Sequence, residues 1–297
     1  MLAETKGQFL SKELRLLDRY ELQDELVGTL KATRWHSELA ARVAACHTKF
    51  RHWRCEHDHN WAEAENSCGC RLCPHDQRRR SMTLVHRFEP FLAGRGSLRY
   101  IVFAERNCVD LREGIRSLFA AWDRVRRGSF WKNLVTGAIV ALEITYNREQ
   151  KTFHPHLNVL FEGEFIPFAD LNAVWVEATR GNGHTSHIQK ADPGTTAELL
   201  KYVTKVSDLI GQPAAVDHFL TATERRRFVR TYGVFFRIPV SEDQNERCCP
   251  DCKTSRVLRM ESLWPWQLSL DLAGVFRVST IVCARERPRG SVFDRGG

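Results

Sequence analysis

The chain has 297 residues, of which 43% are hydrophobic and 27% are charged, so it can bury a core and does not belong to the disordered class. Its formal net charge is +8 and its sequence pI is about 9.1, a balance that favours polyanionic partners, nucleic acid first. No stretch approaches the roughly 20 apolar residues of a membrane helix. Residues 1–13 carry scattered charges and no apolar signal-peptide segment, so we expect a cytoplasmic protein without a membrane partner.

The N-terminal part of the chain contains two different patterns. Residues 10–45 place leucines at helical spacing among charged residues, which predicts one or two amphipathic helices. Residues 46–80 are polar, rich in Cys and His, and end in Arg78, Arg79 and Arg80. This second stretch indicates a metal-stabilised segment rather than an apolar core.

The centre of the chain alternates strand and helix patterns. We predict, in order, a strand at 98–104, a helix at 111–126, strands at 138–146 and 153–161, a helix at 168–179, a strand at 187–190, and a helix from Thr195 or Thr196 to Leu209. The polar turn 147–151 predicts that the two adjacent strands form a hairpin. The order β-α-β-β-α-β-α predicts a ferredoxin- or RRM-like α+β fold, an antiparallel sheet beneath helices.

The strand at 153–161 carries a pair of histidines. His154 and His156 are two residues apart, so both side chains leave the same face, as does that of Asn158. Two neutral imidazoles favour a divalent metal, and Glu143 on the preceding strand is placed to add a hard carboxylate. That combination favours Mn²⁺ or Mg²⁺. The alternative is a pair of surface histidines on an edge strand.

The last predicted helix carries a tyrosine between two charges. Glu198 lies four residues before Tyr202 and Lys205 three residues after it, so all three share one helix face. A tyrosine flanked by a carboxylate and an ammonium group suits a covalent nucleophile. The alternative is an ordinary amphipathic helix with a solvated Glu/Lys face.

Together, the histidine strand and the tyrosine helix resemble the HUH endonucleases, and more closely the single-tyrosine replication initiators of rolling-circle plasmids. The order and spacing of that family are followed by LREGIRSLFAAWDRVR (111–126), LEITYN (142–147), FHPHLNVLF (153–161) and ELLKYVTK (198–205). CRLCP (70–74) is similar to its N-terminal cysteine motif. The resemblance divides the chain into an N-terminal helical segment (1–45), a zinc-binding segment (46–82), an HUH nuclease domain (83–240) and a C-terminal segment (241–297).

The resemblance also implies roles for individual residues. The catalytic metal would be held by His154, His156 and Glu143. Tyr202 would attack a DNA phosphate and become joined to its 5′ side, which leaves a free 3′-hydroxyl for a polymerase. Lys205 would position the scissile phosphate, and Glu198 would activate the water that completes the cycle. The substrate would be single-stranded or origin DNA. The sequence has no P-loop, so unwinding would come from a host helicase, and a homodimer is left open.

The sequence departs from the family pattern at three places. The first motif, typically a Thr-Leu-Thr-like strand, is replaced by Phe-Ala-Glu-Arg at 103–106. Asn158 stands where a further histidine is common. In the cysteine motif, His75 and Asp76 follow Cys73 and Pro74 where a final cysteine is expected, so other residues would complete a metal site there.

The chain has ten cysteines, most of them clustered, which in a reducing compartment indicates metal binding rather than disulfides. A structural Zn²⁺ could be bound by Cys55, Cys68, Cys70 and Cys73, with Cys46, His57, His59 and His75 as alternates. Cys249 and Cys252 form a zinc-knuckle half-motif. It could pair with Cys283, reach the N-terminal cluster, or bind nothing. A loop of reduced thiols is the alternative for the first cluster.

Basic residues also cluster outside the predicted active site. Candidate DNA-phosphate contacts are Arg78, Arg79, Arg80, Arg225, Arg226 and Arg227. Besides a replication initiator, the sequence is compatible with a transposase or relaxase of the same chemistry. From a different class, it is compatible with a zinc-stabilised DNA-binding regulator without nicking activity. Covalent attachment of DNA to Tyr202 discriminates this last alternative.

Overall fold

The computed structural model describes residues 18–186, 188–191, 208–238, 249, 251–252, 254–255, 257–262, 269–270, 276–277 and 282–284. Contacts divide these residues into two compact units. The larger unit comprises those within 1–45 and 68–239, and the smaller unit those within 46–67 and 240–297. The segment predicted at 46–82 is therefore divided between the units after residue 67, and its first part groups with the C-terminal segment.

The helices of the larger unit, in chain order, are α1 (18–31), α2 (Ser37–Ala44), α3 (Pro74–Leu92), α4 (Leu111–Arg127), α5 (Ser129–Leu134), α6 (Phe168–Ala178) and α7 (Pro213–Thr223). Strands β1 (Phe50–Cys55) and β2 (Asn60–Ala64) precede α3 and belong to the smaller unit. The strands of the larger unit are β3 (Leu98–Glu105), β4 (Val135–Asn147), β5 (Thr152–Gly163), β6 (Gly183–Thr185), β7 (Gln189–Lys190) and β8 (Val229–Gly233). None of the described helices combines the length and apolar character that crossing a bilayer requires.

The sheet of the larger unit has the order β6-β3-β5-β4-β8, with β7 also pairing with β3. All of these pairings are antiparallel. Numbered along the chain, strands β3, β4, β5 and β6 stand in the order 4-1-3-2, as expected of a ferredoxin-like sheet built from a β-α-β-β-α-β run. The predicted α+β fold class is confirmed.

The strand predicted at 187–190 begins earlier than expected. The structure has two short strands here, β6 and β7, and both pair with β3. The Gly-Asn-Gly sequence at 181–183 is typical of a turn, and what makes Gly183 a strand residue is its long-range pairing with Glu105.

Helix α4 shows why the predicted elements form. Asp110 caps the helix by accepting hydrogen bonds from the backbone N–H groups of Arg112 and Glu113. Its buried residues recur at helical spacing and include Leu111, Ile115, Leu118 and Trp122. Gly114 is required where the helix passes Cys108, because an added Cβ would lie 2.4 Å from the cysteine Sγ.

The two faces of the large sheet are covered differently. On one face Phe103 packs against Trp122 of α4 and Trp175 of α6, with ring centroids 5.7 and 4.8 Å apart. On the other face α3 contributes Phe88 and Leu92 to a cluster with residues that include Leu98 and Leu160. That cluster involves the later part of β5, whereas the histidine pair lies toward the start of the same strand.

The smaller unit is built on a four-stranded sheet. The remaining strands are β9 (Val257–Ser262), β10 (Ser269–Leu270), β11 (Phe276–Arg277) and β12 (Val282–Ala284). The sheet has the order β12-β9-β1-β2 with antiparallel pairing throughout, and β10 and β11 form a separate pair. Because β1 is paired with both β2 and β9, two segments that are distant in sequence share one sheet.

Candidate active site

A row of polar residues crosses the large sheet. In the strand register Glu143 of β4 lies opposite His156 of β5, which lies opposite Ala104 of β3, which in turn lies opposite His184 of β6. Directly opposed residues present their side chains on the same face. The small Ala104 therefore separates His184 from His156 in a row that begins at Glu143.

A chain of hydrogen bonds holds the carboxylate of this row. Oε2 of Glu143 lies 2.9 Å from Nε2 of His156 and accepts a hydrogen bond of 2.8 Å from Nδ2 of Asn158. The hydroxyl of Tyr100 donates to Oδ1 of Asn158 at 2.6 Å. Glu143 and Asn158 are buried, with 7% and 3% exposure. The orientation of the carboxylate is thus determined by its two neighbours on β5.

His154 lies beside this row. Its ring is stacked near that of His184, with centroids 5.8 Å apart, and its centroid is 5.4 Å from that of His156. Burial lowers the pKa of His154, and His156 and His184 lower it further, whereas Glu143 opposes them. The imidazole is therefore neutral at neutral pH, the form that can bind a metal.

The types of donor at this site are those that bind a divalent cation. The buried Nδ1 of His154 has no hydrogen-bond partner among the described residues, which is costly unless a ligand satisfies it. His156 adds a second imidazole nitrogen and Glu143 a hard oxygen. Nitrogen and oxygen donors without a thiolate suit Mn²⁺ or Mg²⁺.

His184 is a site residue that the sequence interpretation missed. His184 pairs with Ala104, about 80 residues earlier in the chain. Nothing in its local sequence, Gly-His-Thr, distinguishes it from a surface histidine. Only the pairing of β6 with β3 brings its ring beside His154. The strand predicted at 187–190 does not include His184, so no signal in the sequence pointed to it.

The predicted nucleophile and its neighbours, Tyr202, Glu198 and Lys205, lie outside the described residues. The residues on either side of that segment are described. The N–H of Ala191 donates to the carbonyl of Leu98 at 3.0 Å. On the other side, the Arg148 guanidinium donates to the carbonyls of Asp208 and Ile210 at 3.0 and 2.9 Å. Arg148 lies in the turn between β4 and β5, close along the chain to His154.

The predicted DNA-binding arginines occupy two places in the larger unit. Those on α3 are Arg78, Arg79 and Arg80, of which the first two are exposed. Arg79 lies 3.6 Å from Asp76, and Arg80 donates to the carbonyl of Gly69 at 2.6 Å. Those after α7 are Arg225, Arg226 and Arg227, of which the first and last are exposed. Both places offer guanidinium groups to solvent.

The cysteines predicted as one zinc cluster belong to different units. Cys68, Cys70 and Cys73 are in the larger unit, where the Sγ atoms of Cys68 and Cys73 lie within 4.8 Å of each other. The N–H of Cys70 points to Cys68 Sγ at 3.4 Å. Cys55 is in the smaller unit, and the structure groups it instead with His59, Cys249 and Cys252. The structure thus groups Cys55 with the half-motif at 249–252, one of the alternatives that the sequence left open.

Comparison with known proteins finds a family and a curated relative with similar sequences. A family model described as "Replication protein" (Rep_1) matches residues 60–259. A curated relative, "Protein rep" of Streptococcus pneumoniae serotype 2 (strain D39 / NCTC 7466), is 28% identical over 145 residues, which cover 46% of this chain and 45% of that protein. The match thus spans less than half the length of that relative. No solved structure matches the chain.

The family match covers more than half of the chain and includes the sheet, the histidine pair and Glu143. This match confirms the resemblance to replication initiators that was based on the sequence motifs. The chain belongs to the Rep_1 family of replication proteins.

Proposed function

We propose that this chain initiates rolling-circle replication by nicking and later rejoining one strand of origin DNA through a covalent bond to Tyr202. The observation that carries the proposal is the set of His154, His156 and Glu143 on one face of the sheet, with a buried imidazole nitrogen that lacks a partner among the described residues. Family membership supports the replication role, and the donor set of this site supports metal-assisted nicking.

His154, His156 and Glu143 would hold Mn²⁺ or Mg²⁺, and His184 lies close enough to His154 to assist. When bound, the ion would polarise a phosphate oxygen and offset the negative charge that develops during attack. Asn158 orients the Glu143 carboxylate, and the contact between Glu143 and His156 would open when the cation binds.

Tyr202 would be the nucleophile. Its phenol oxygen attacks the phosphorus, the bond to the 3′-oxygen breaks, and the products are a 5′-phosphotyrosine and a free 3′-hydroxyl. A phenol with a pKa near 10 needs activation at neutral pH. Lys205 would neutralise the scissile phosphate, and Glu198 would take a proton from the water that hydrolyses a phosphotyrosine.

The described flanks support this assignment. Tyr202 precedes Asp208 by six residues, and six residues of fully extended chain span at most roughly 20 Å. Arg148 binds the carbonyl of Asp208 at the β4–β5 turn, and His154 follows that turn on β5. This length of chain permits Tyr202 to approach the histidine pair.

DNA would be held by phosphate contacts from the exposed arginines of α3 and of the turn after α7. Such contacts depend on salt and carry no sequence information themselves. A host polymerase would extend the free 3′-hydroxyl, and a host helicase would separate the strands.

The test is covalent capture of DNA. Wild-type protein is incubated with single-stranded origin DNA and Mn²⁺, and the products are resolved on a denaturing gel. Tyr202→Phe is compared with Tyr146→Phe, a matched control because Tyr146 lies on β4 but faces away from Glu143, three residues before it. We expect an adduct with wild type and the control, and none with Tyr202→Phe or without metal.

If wild type binds the DNA but forms no adduct on any origin-bearing strand, the nicking proposal fails. A DNA-binding regulator then becomes the better reading. An adduct that persists in Tyr202→Phe would instead move the nucleophile to another residue.

A further inference from the structure

Four potential metal ligands of the smaller unit converge on one point. They are Cys55, His59, Cys249 and Cys252, and one ligand atom from each lies within 4.8 Å of all the others. Cys55 and Cys249 are buried, with 2% and 0% exposure. We infer that these four side chains form a structural Zn²⁺ site, independent of the proposed nuclease centre, on which the fold of the smaller unit depends.

The distances between the ligand atoms fit a single tetrahedral ion. Zinc–sulfur and zinc–nitrogen bonds of about 2.3 and 2.05 Å place two sulfurs about 3.7 Å apart, and a sulfur and a nitrogen about 3.5 Å apart. Cys55 Sγ and Cys252 Sγ are 3.7 Å apart. Nδ1 of His59 lies 3.4 Å from Cys55 Sγ and 3.6 Å from Cys249 Sγ. A disulfide would need about 2.05 Å, so the cysteines are not oxidised partners.

The strands of the smaller unit deliver these ligands to one end of its sheet. Cys55 is the last residue of β1, and His59 immediately precedes β2. The turn between them closes with a hydrogen bond from the N–H of Cys55 to the carbonyl of His59, and Asp58 adopts a positive φ of 63° there. Cys55 also pairs with Val257, the first residue of β9, which follows the other two ligands.

A similar turn presents the second half of the site. The N–H of Cys249 donates to the carbonyl of Thr254 at 2.9 Å, and the Thr254 hydroxyl donates to Glu56 at 2.6 Å. Each turn thus contributes two ligands, and a hydrogen bond connects the two turns. Two paired turns with two ligands each are the usual construction of a closed structural zinc site.

Few buried apolar side chains are found in the part of the smaller unit that the structure describes. Among the side chains of this unit that the structure describes, the buried apolar ones are Trp53 and three cysteines, Cys46, Cys55 and Cys249. In small units, disulfides or a bound metal commonly add to the stability that an apolar core provides. Where ligands come together only in the folded chain, the free energy of metal binding contributes directly to folding.

The donor set favours zinc over the cation proposed for the nuclease centre. Three thiolates and one imidazole are soft or borderline ligands in a tetrahedral arrangement, whereas Mn²⁺ and Mg²⁺ prefer carboxylate and water oxygens. His57 lies outside the set of four, with its Nδ1 3.3 Å from Cys252 Sγ. It is placed to hydrogen-bond this thiolate and to orient it.

The site joins two segments that are distant along the chain. Residues 60–248 lie between its two pairs of ligands, and this interval contains the whole large sheet. Zinc would hold the segments before and after the nuclease unit in one sheet. The half-motif at 249–252 therefore finds its partner in Cys55 and His59, whereas Cys283 pairs with Glu261 toward the other end of β9.

The first experiment measures zinc in the purified full-length chain by mass spectrometry after dialysis against metal-free buffer. Cys252→Ser should contain one zinc per chain less than wild type. The matched control Cys108→Ser, in the larger unit, should contain as much as wild type. Equal zinc content in Cys252→Ser and wild type overturns the assignment.

A second measurement does not depend on a disruptive variant. Wild type and His59→Cys are reconstituted with Co²⁺, and the visible absorption of the bound ion is recorded. Both should show the intense bands of tetrahedral cobalt, and His59→Cys should shift them to lower energy because a thiolate replaces the imidazole. Identical spectra in the two proteins would show that His59 is not a ligand and would overturn the four-residue site.

Discussion

Asn158 allows the geometry of the proposed catalytic metal site to be tested without removing a ligand. This buried amide donates to Glu143 at 2.8 Å and accepts from Tyr100 at 2.6 Å. In Asn158→Ala both hydrogen bonds are lost, while His154, His156 and Glu143 all remain. The variant should therefore lower both the stability of the fold and its affinity for Mn²⁺.

The expected magnitude follows from the two bonds. A hydrogen bond to a buried carboxylate contributes about 1.5–3 kcal/mol, and a neutral one about 0.5–1.5 kcal/mol. Their loss should lower the free energy of unfolding by about 2–4 kcal/mol. Because Asn158 fixes the orientation of Glu143, the affinity for Mn²⁺ should fall roughly 10- to 100-fold, the usual effect of removing a group that orients a ligand.

The assay combines denaturant unfolding with calorimetric titration of Mn²⁺. Asn172→Ala is the matched control, since Asn172 accepts a hydrogen bond of 2.8 Å from Thr185 on the opposite side of the sheet from Glu143. It should lose about 1 kcal/mol of stability and keep wild-type affinity for Mn²⁺. Tyr100→Phe should lie between the two variants and be non-additive with Asn158→Ala, because the residues share one network.

A particular result would refute this reasoning. If Asn158→Ala unfolds more easily but binds Mn²⁺ as tightly as wild type, the amide stabilises the sheet without orienting Glu143. The carboxylate would then have no demonstrated connection to the metal. Equal losses of Mn²⁺ affinity in Asn158→Ala and Asn172→Ala would point to general destabilisation instead.

Three further predictions concern stability and can be checked by denaturant unfolding. Gly28→Ala should raise the free energy of unfolding by about 0.5–1 kcal/mol, because the glycine lies in helix 18–31 with nothing within 4 Å of an added Cβ; a loss would mean that the helix is strained there. Gly183→Ala should cost about 1–3 kcal/mol, since its Cβ would lie 2.4 Å from Oγ1 of Thr179; a neutral result would show that the edge strand moves freely. Burial raises the pKa of Glu105 despite its hydrogen bond from Ser117, so the folded state disfavours the carboxylate. Glu105→Gln should therefore add a small stability at neutral pH that disappears in acid, and a gain that grows as the pH falls would contradict this sign.

Much of the large sheet could be predicted because its signals are local. The strands at 98–104, 138–146 and 153–161 each carry their own apolar pattern, and the polar turn at 147–151 joins two of them. That turn also determines the hairpin register, since pairing Asn147 with Thr152 places Glu143 opposite His156. The register of a hairpin follows from its turn, so this part of the site is encoded within a few residues.

Edge strands could not be placed in the same way. Strand β8 (Val229–Gly233) follows a run of arginines and was not predicted, because its sequence resembles a basic surface segment. It is a strand because it pairs with the middle of β4, nearly a hundred residues earlier in the chain. In the same way, pairing with β3 places the start of β6 earlier than the sequence predicted. Edge-strand propensity depends on such neighbours more than on local sequence.

The cysteines illustrate why spacing alone cannot assign a metal site. Cys55 is closer in sequence to Cys68 than to Cys249. The pairing of β1 with β9 nevertheless brings Cys55 and Cys249 together. Each of the two turns contributes two ligands, and its local sequence does not indicate which other turn contributes the remaining two. The sequence indicates which residue types would bind zinc, but only the folded structure shows which of them lie together.

The two donor sets explain how one chain could carry two different metals. By the usual order of affinity, zinc binds nitrogen and oxygen donors more tightly than manganese does, so affinity alone would not keep zinc out of the site at His154 and His156. The thiolates of Cys55, Cys249 and Cys252 offer zinc softer ligands, and at limiting zinc they should fill first. The nuclease centre would then be left to the more abundant hard cation.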